Sequence, residues 1–356
     1  MNTEPSSAPD PVVVRRNRRV IRIWLYTVCL LILAMIIVGG ATRLTDSGLS
    51  ITEWLPLLGA IPPLTEADWL AAFEKYKLIP EYTQLKHGMS LAEFKVIYWW
   101  EWAHRFLGRF IGVAFALPAI WFWLRGRIEP WLRPRLLLIF LLGAIQGGVG
   151  WWMVASGLVE RTDVSQYRLA THLLLALIIF AAIVWVAAGM AERREILIRH
   201  KGFTTFWAAF LVLLVFVQIY LGGLVAGLDA GQTFNTWPLI DGDLIPRDIF
   251  DTNPWWLAAF EDIKTVQFNH RVGGYLLFFV ALVQLFAIRR ADLVAGFVSS
   301  RMLFLLILVQ IGLGIATLLL GVPLWLGLVH QGVAVGVLFF ALLHLRDLRG
   351  GYRIQK

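Results

Sequence analysis

The chain is a succession of long, nearly uninterrupted apolar runs separated by short polar breaks. A helix of roughly 20 apolar residues spans a bilayer. On that measure eight spans are expected, at 20–40, 104–124, 134–154, 168–189, 204–226, 268–288, 301–320 and 324–345. Only Gly321-Val322-Pro323 separates the last two, which makes a tight turn and no domain boundary. Two breaks are long, 41–100 and 227–267. The first contains Thr65-Glu-Ala-Asp68 and Ser90-Leu-Ala-Glu93, patterns in which a hydroxyl and a carboxylate three residues apart cap a helix start. Trp69, Phe73, Phe94 and Tyr98 fall on apolar stripes of the segments that follow, so short interfacial helices are expected to roof the bundle. Trp255 and Trp256 are the expected interfacial anchor of the smaller loop.

The spans read as a duplication. Helix 1 ends in Gly39-Gly40 and continues through Asp46 and Gly48 to Trp54 and Pro62. Helix 5 ends in Gly222-Gly223 and continues through Asp229 and Gly231 to Trp237 and Pro246. Helix 3 carries Gln146-Gly-Gly-Val-Gly150 and helix 7 carries Gln310-Ile-Gly-Leu-Gly314. The expected fold is an all-α integral membrane protein of eight transmembrane helices, arranged as two tandem pseudo-symmetric four-helix bundles. Its parts are a basic, disordered tail (1–19), an N-terminal half (20–190), a C-terminal half (204–345) and a C-terminal tail (346–356).

Composition and charge narrow the function classes. With 58% hydrophobic and 16% charged residues, the chain is too apolar and too weakly charged for an ordinary soluble domain. The net charge of +8 does not imply nucleic acid, because most of the 32 Lys and Arg residues sit in the short breaks on one side. That is the positive-inside pattern. It places both termini in the cytoplasm of a bacterial inner-membrane protein, or in the matrix of a mitochondrial one. The first span lacks a small-residue cleavage pattern and is read as a retained helix. The single cysteine, Cys29, leaves no disulfide within the chain.

Candidate chemistry rests on the histidines. Of seven, His87, His200 and His344 are read as structural or solvent-facing. His104, His172, His270 and His330 all sit near the outer ends of even-numbered helices, where ionisable residues are costly and by default mark function. Each half offers two histidines from different helices and few other ligands. A catalytic divalent metal usually asks for three or more, whereas two facing imidazoles are the axial set of a haem. Small residues four positions on (Gly108, Ala176, Gly274, Ala334) are expected to admit the macrocycle. Arg105, Arg168 and Arg271 are candidate propionate contacts, since guanidinium suits carboxylates. Three residues before His104 stands Glu101, and three before His270 stands Gln267. Only the first can titrate, so the first half is read as the reactive site and the second as a resident haem.

Together, Glu101-Trp-Ala-His104-Arg105, Phe268-Asn-His270-Arg271, Gln146-Gly-Gly-Val-Gly150, Thr171-His172, Gly327-Leu-Val-His330-Gln331 and Gly39-Gly-Ala-Thr-Arg-Leu-Thr-Asp46 resemble the haem A synthase family, over about 20–345. The proteobacterial and mitochondrial branch is the more similar one. The resemblance implies an oxidoreductase that converts haem O to haem A for cytochrome oxidase, oxidising a porphyrin methyl group to formyl through successive hydroxylations. It implies haem b held by His270 and His330, substrate haem O flanked by His104 and His172, and Glu101 as the catalytic carboxylate. Implied partners are haem O synthase, cytochrome oxidase assembly factors and an unidentified electron donor, with self-association left open. Some members carry a cysteine pair in the outer loop of each half; this chain has neither. The rival class is a dihaem b-type membrane electron carrier, which also wants four histidines but has no need of Glu101 in one half only.

Overall fold

The computed structural model describes residues 10–56, 58–191, 201–290 and 294–349. His200, residues 1–9 of the expected N-terminal tail and most of the C-terminal tail lie outside them. The described helices are α1 (Pro11–Leu44), α2 (Glu66–Tyr76), α3 (Leu91–Leu124), α4 (Arg133–Val154), α5 (Gln166–Gly189), α6 (Lys201–Gly227), α7 (Ala258–Glu261), α8 (Ile263–Arg290), α9 (Val294–Leu319) and α10 (Leu324–Arg349). All but α2 and α7 are long and apolar enough to cross a membrane. The described chain is thus an all-α integral membrane protein, and each of the eight expected spans falls within one of these helices, save that 301–320 runs one residue past the end of α9.

Two boundaries differ from expectation. Residues 11–19, expected as disordered tail, are the first turns of α1. Asp10 caps the helix by accepting from the Val12 N–H at 2.8 Å, and Pro11 occupies the first helical position, where its missing donor costs nothing. Arg18 is buried there because its guanidinium makes two 2.7 Å bonds to the Glu129 carboxylate, which tie α1 to the α3–α4 connection. The second difference concerns Ser90 and Glu93. They do form a reciprocal capping box, but the helix they start is α3 itself, unbroken for 34 residues or about 50 Å. The apolar stripe through Phe94 and Tyr98 prolongs the span by three turns and is no separate roof helix.

The roof is made by α2 against that extension. Trp69 meets Tyr98 at 4.9 Å between ring centres, and Phe73 stacks on Phe94 at 4.9 Å. Beneath them the Tyr76 hydroxyl donates to Glu81, whose carboxylate also pairs with Lys86 at 2.8 Å. Burial pushes the Glu81 carboxyl above its ordinary range, and the Lys86 ammonium pulls against it.

Four helices make the centre. α1 packs on α3, α5 and α10, while α6 packs on α8, α5 and α10; α3, α4 and α9 are peripheral. Accordingly Leu25, Leu177, Val184, Leu211 and Leu338 are fully buried, whereas Phe110, Leu117, Leu138, Phe140 and Leu305 face outward. In contact with lipid these outward apolar faces need no protein cover. Asp46 and Asp229, at matching places after the Gly-Gly pairs, both take left-handed backbone (φ 46° and 49°). Arg43 bonds to both carboxylates, at 3.1 and 2.6 Å, and so joins the halves at their loop-bearing end.

Candidate functional site

Each of the four histidines is seated against a glycine on a neighbouring helix. A Cβ added to Gly39 of α1 would lie 2.9 Å from His104 Nε2, and one on Gly150 of α4 would lie 2.8 Å from His172 Cε1. In the second half a Cβ on Gly222 of α6 would lie 3.2 Å from His270 Cε1, and one on Gly314 of α9 would lie 2.9 Å from His330 Cε1. Any larger residue would push the ring out of place. The structure brings His104 and His172 together across the first half, with ring centres 6.5 Å apart and planes inclined at 65°. Two imidazoles bound to opposite sides of one metal through bonds of about 2 Å would have centres roughly 6 to 6.5 Å apart. The spacing therefore already suits a shared metal.

Three of the four rings are also gripped by an amide. Gln146 Nε2 lies 3.2 Å from His172 Nδ1 and donates to the His172 carbonyl at 3.0 Å. Gln218 Nε2 does the same to His270, at 3.1 and 2.9 Å. Gln310 Nε2 lies 3.3 Å from His330 Nε2 and donates to its carbonyl at 3.0 Å. Sequence reasoning used Gln146 and Gln310 only as markers of the repeat and passed over Gln218. A glutamine inside an apolar span was the available signal, since a buried amide is retained only where it has work to do. The expectation for Gly108 and Gly274 changes as well. The room at Gly108 is taken up by Met35, whose Cε would be 3.1 Å from an added Cβ, and Gly274 faces Gln218 Nε2 at 3.7 Å.

Glu101 and Gln267 do the same mechanical work. Glu101 is buried; one oxygen accepts from Arg105 Nη2 at 2.6 Å, the other from the Ser50 hydroxyl and the Ile51 N–H, each at 2.7 Å. Gln267 accepts from Arg271 Nη2 at 2.6 Å and donates to the Ala230 carbonyl at 2.7 Å. Each latches the loop of its half to the helix that carries the first histidine. The arginines expected to meet propionates also hold backbone carbonyls. Arg105 donates to the carbonyls of Ile51 and Glu53, and Arg271 to those of Phe234 and Leu239. Arg168 donates to the Trp152 carbonyl at 2.7 Å and stacks over the Trp152 ring.

The donor set fits a ligand that brings its own equatorial atoms. Among the described residues no three His, Cys, Asp or Glu side chains cluster as a metal site, so each half offers a pair of imidazoles and no more. Three amide oxygens (of Gln146, Gln218 and Gln310) are buried without partners, as is His330 Nδ1. A neutral imidazole that gives Nε2 to a metal carries its proton on Nδ1 and seeks an acceptor. All three amides turn their nitrogens to the rings, so these oxygens and His330 Nδ1 are left without a partner among the described residues. His344, by contrast, is satisfied on both ring nitrogens by Gln284 and Ser299, and His87 lies against the Tyr82 ring; both fit the structural reading.

Comparison with known proteins agrees with this chemistry. The profile of the cytochrome oxidase assembly protein family COX15-CtaA matches residues 22–342. A Mesorhizobium japonicum protein named "Heme A synthase" is 54% identical, over 98% of this chain and 97% of its own length. Proteins of the same name from Chelativorans sp. and Brucella suis are 55% and 51% identical over 95% of this chain, and over 93% and 94% of their own lengths. On a match that takes in nearly the whole chain, this protein belongs to the COX15-CtaA cytochrome oxidase assembly family.

Proposed function

We propose that this chain is a haem A synthase, an oxidoreductase that converts haem O to haem A by oxidising a porphyrin methyl group to formyl through successive hydroxylations. The observation that carries the reading is the His104–His172 pair, two glycine-seated imidazoles with centres 6.5 Å apart in a membrane bundle of this family. The two halves are read as tandem copies specialised for different haems. His104 and His172 flank the substrate haem O, and His270 and His330 hold a resident haem b. The bound iron supplies the oxidation chemistry and relays electrons.

The protein's own part is positioning and charge. The glycine seats fix how closely each imidazole can approach its neighbour helix, and the glutamines orient three of the four rings. Glu101 stands one turn before His104, and its carboxylate would stabilise positive charge or take a proton as the methyl group of a bound haem O is oxidised. Its bonds to Arg105, Ser50 and Ile51 keep it rigid. Arg105, Arg168 and Arg271 are left as anchors of the loops, so the propionate role rests on whatever donors remain free beside them. The protein is read as a multi-pass inner-membrane enzyme with both termini cytoplasmic. Its electron donor and any haem O synthase or oxidase assembly factor meet it at the membrane.

The test is haem extraction and chromatography after co-expression with a haem O source in cells that lack haem A. A formyl-bearing haem, or its hydroxymethyl precursor, is the expected product. Haem b beside untouched haem O, from folded protein with its reductant supply intact, would favour the electron-carrier class instead.

A further inference from the structure

The four histidine seats follow one rule with one exception. Four residues before each seating glycine stands the side chain that reaches the histidine's own helix. It is Gln146 before Gly150, Gln218 before Gly222 and Gln310 before Gly314. Before Gly39, the seat of His104, it is Met35. The glycines opposite confirm the correspondence. Gly108, four residues after His104, faces Met35, and Gly274, four after His270, faces Gln218. Met35 thus occupies the place of an amide while offering neither a donor nor a hydrogen-bond acceptor of any strength. Among the described residues no hydrogen bond reaches the His104 ring, whereas Gln146, Gln218 and Gln310 each reach theirs.

We propose that Met35 makes His104 the releasable ligand of the substrate site, and that the exchange of haem at this one position is set by the missing amide. Resting on the assignment of His104 and His172 to the substrate, the inference adds which of the two lets go. An imidazole gripped by a side chain of the neighbouring helix is fixed in place and rotation, and loss of a partner behind a metal ligand typically weakens metal binding about 10- to 100-fold. A resident haem needs both ligands held, and Gln218 and Gln310 hold them. A substrate must enter and leave as product, and a site with two amide-fixed imidazoles would retain both. With Gln146 holding His172 and only the Gly39 notch holding His104, one side of the site stays firm while the other opens. Met35 is a positioning residue here, acting through His104.

The test follows haem transfer from the detergent-solubilised, haem b-loaded full chain to apomyoglobin, read by absorbance, with the low-spin signal of bis-imidazole haem followed in parallel by electron paramagnetic resonance. Two phases are expected, the fast one from the first half. Met35→Gln should slow the fast phase about 10- to 100-fold and leave the slow phase unchanged. Met35→Leu, which brings no amide, should leave both unchanged. Gln218→Met should speed the slow phase by a similar factor, and decides the matter if Met35→Gln does not fold. An unaltered fast phase in folded Met35→Gln, or an unaltered slow phase in Gln218→Met, overturns the inference and leaves the haem assignment standing. Haem uptake that is indifferent to replacement of His104 and of His270 would instead overturn the assignment itself.

Discussion

In the first half the segment after α1 is fastened to α3 by a carboxylate; in the second, the segment after α6 is fastened to α8 by an amide. Glu101 and Gln267 accept from the arginine four residues on at the same 2.6 Å, and both reach back to the loop behind them. The latch therefore needs a polar side chain of this length but not its charge, since Gln267 manages without one. What the carboxylate adds is a negative charge one turn from His104, beside the seat where Met35 stands at the place of a glutamine. Both departures from the shared plan fall in the same half and beside the same histidine. On the proposed reading, one half keeps what it binds and the other acts on it and releases it.

The comparison breaks most severely if the second half is not the resident site. Replacement of His270 or His330 by Ala should abolish haem b retention, read as haem per chain by the pyridine haemochrome method, while His104→Ala leaves that haem in place. Next in size, Glu101→Gln keeps a latch that Gln267 shows an amide can make. It should lower product formation by about 10²- to 10⁴-fold, the range for a lost catalytic proton-transfer group, with haem b content unchanged. The reciprocal Gln267→Glu should leave haem b bound. Normal turnover in Glu101→Gln would reduce Glu101 to a latch and remove the charge from the difference between the halves.

A third pair of changes tests the seats. Gly150→Ala and Gly314→Ala each put a methyl group within 3 Å of a histidine ring, at 2.8 and 2.9 Å, and the ring must shift. Overpacking of this kind costs about 1 to 3 kcal/mol. It should appear as lost product for the first variant and lost haem b for the second. Gly147→Ala, where nothing lies within 4 Å, is the control and should behave as the parent.

Much of this was legible in the chain because membrane spans are dictated by length and apolarity. The eight spans, the four histidines and the Glu101/Gln267 contrast all follow from position along a helix. The misreadings have physical causes. Ser90 and Glu93 form the cap expected of them, but a cap marks where a helix begins and says nothing of how far it runs, so the one helix α3 reads in the sequence as two elements, a roof helix and a span. At 11–19 the density of arginine outweighed the Asp10-Pro11 helix start. Gly108 was read as space for a ligand because a sequence records what a residue lacks and not what the neighbouring helix inserts; Met35 fills it. The glycine seats and Gln218 were hidden for the same reason, as they act on histidines more than fifty residues away or on other helices. The carbonyl partners of Arg105, Arg168 and Arg271 were hidden likewise, because a guanidinium near a loop is as well satisfied by carbonyls as by carboxylates.

The smallest effect concerns how the halves are joined. Asp46 and Asp229 correspond in sequence and share left-handed backbone, yet Arg43 has no equivalent, because Ala226 stands at its place in the second half. Arg43 lies 2.6 Å from Asp229 and 3.1 Å from its own-half partner Asp46, which is the more exposed of the two carboxylates at 65% against 48%. Replacing either aspartate by Gly relieves the backbone to a similar degree, since glycine takes positive φ freely. The two variants therefore differ in the ion pair each removes. Asp229→Gly should be the less stable, by no more than about 1 kcal/mol because the pair is partly in water, and the gap should close in high salt. Thermal unfolding in detergent at low and high ionic strength measures it. Equal stability at both would mean that Arg43 contributes nothing across the boundary, which leaves the packing of α1 and α5 on α10, of α5 on α6, and the Tyr167–Glu261 bond to join the halves.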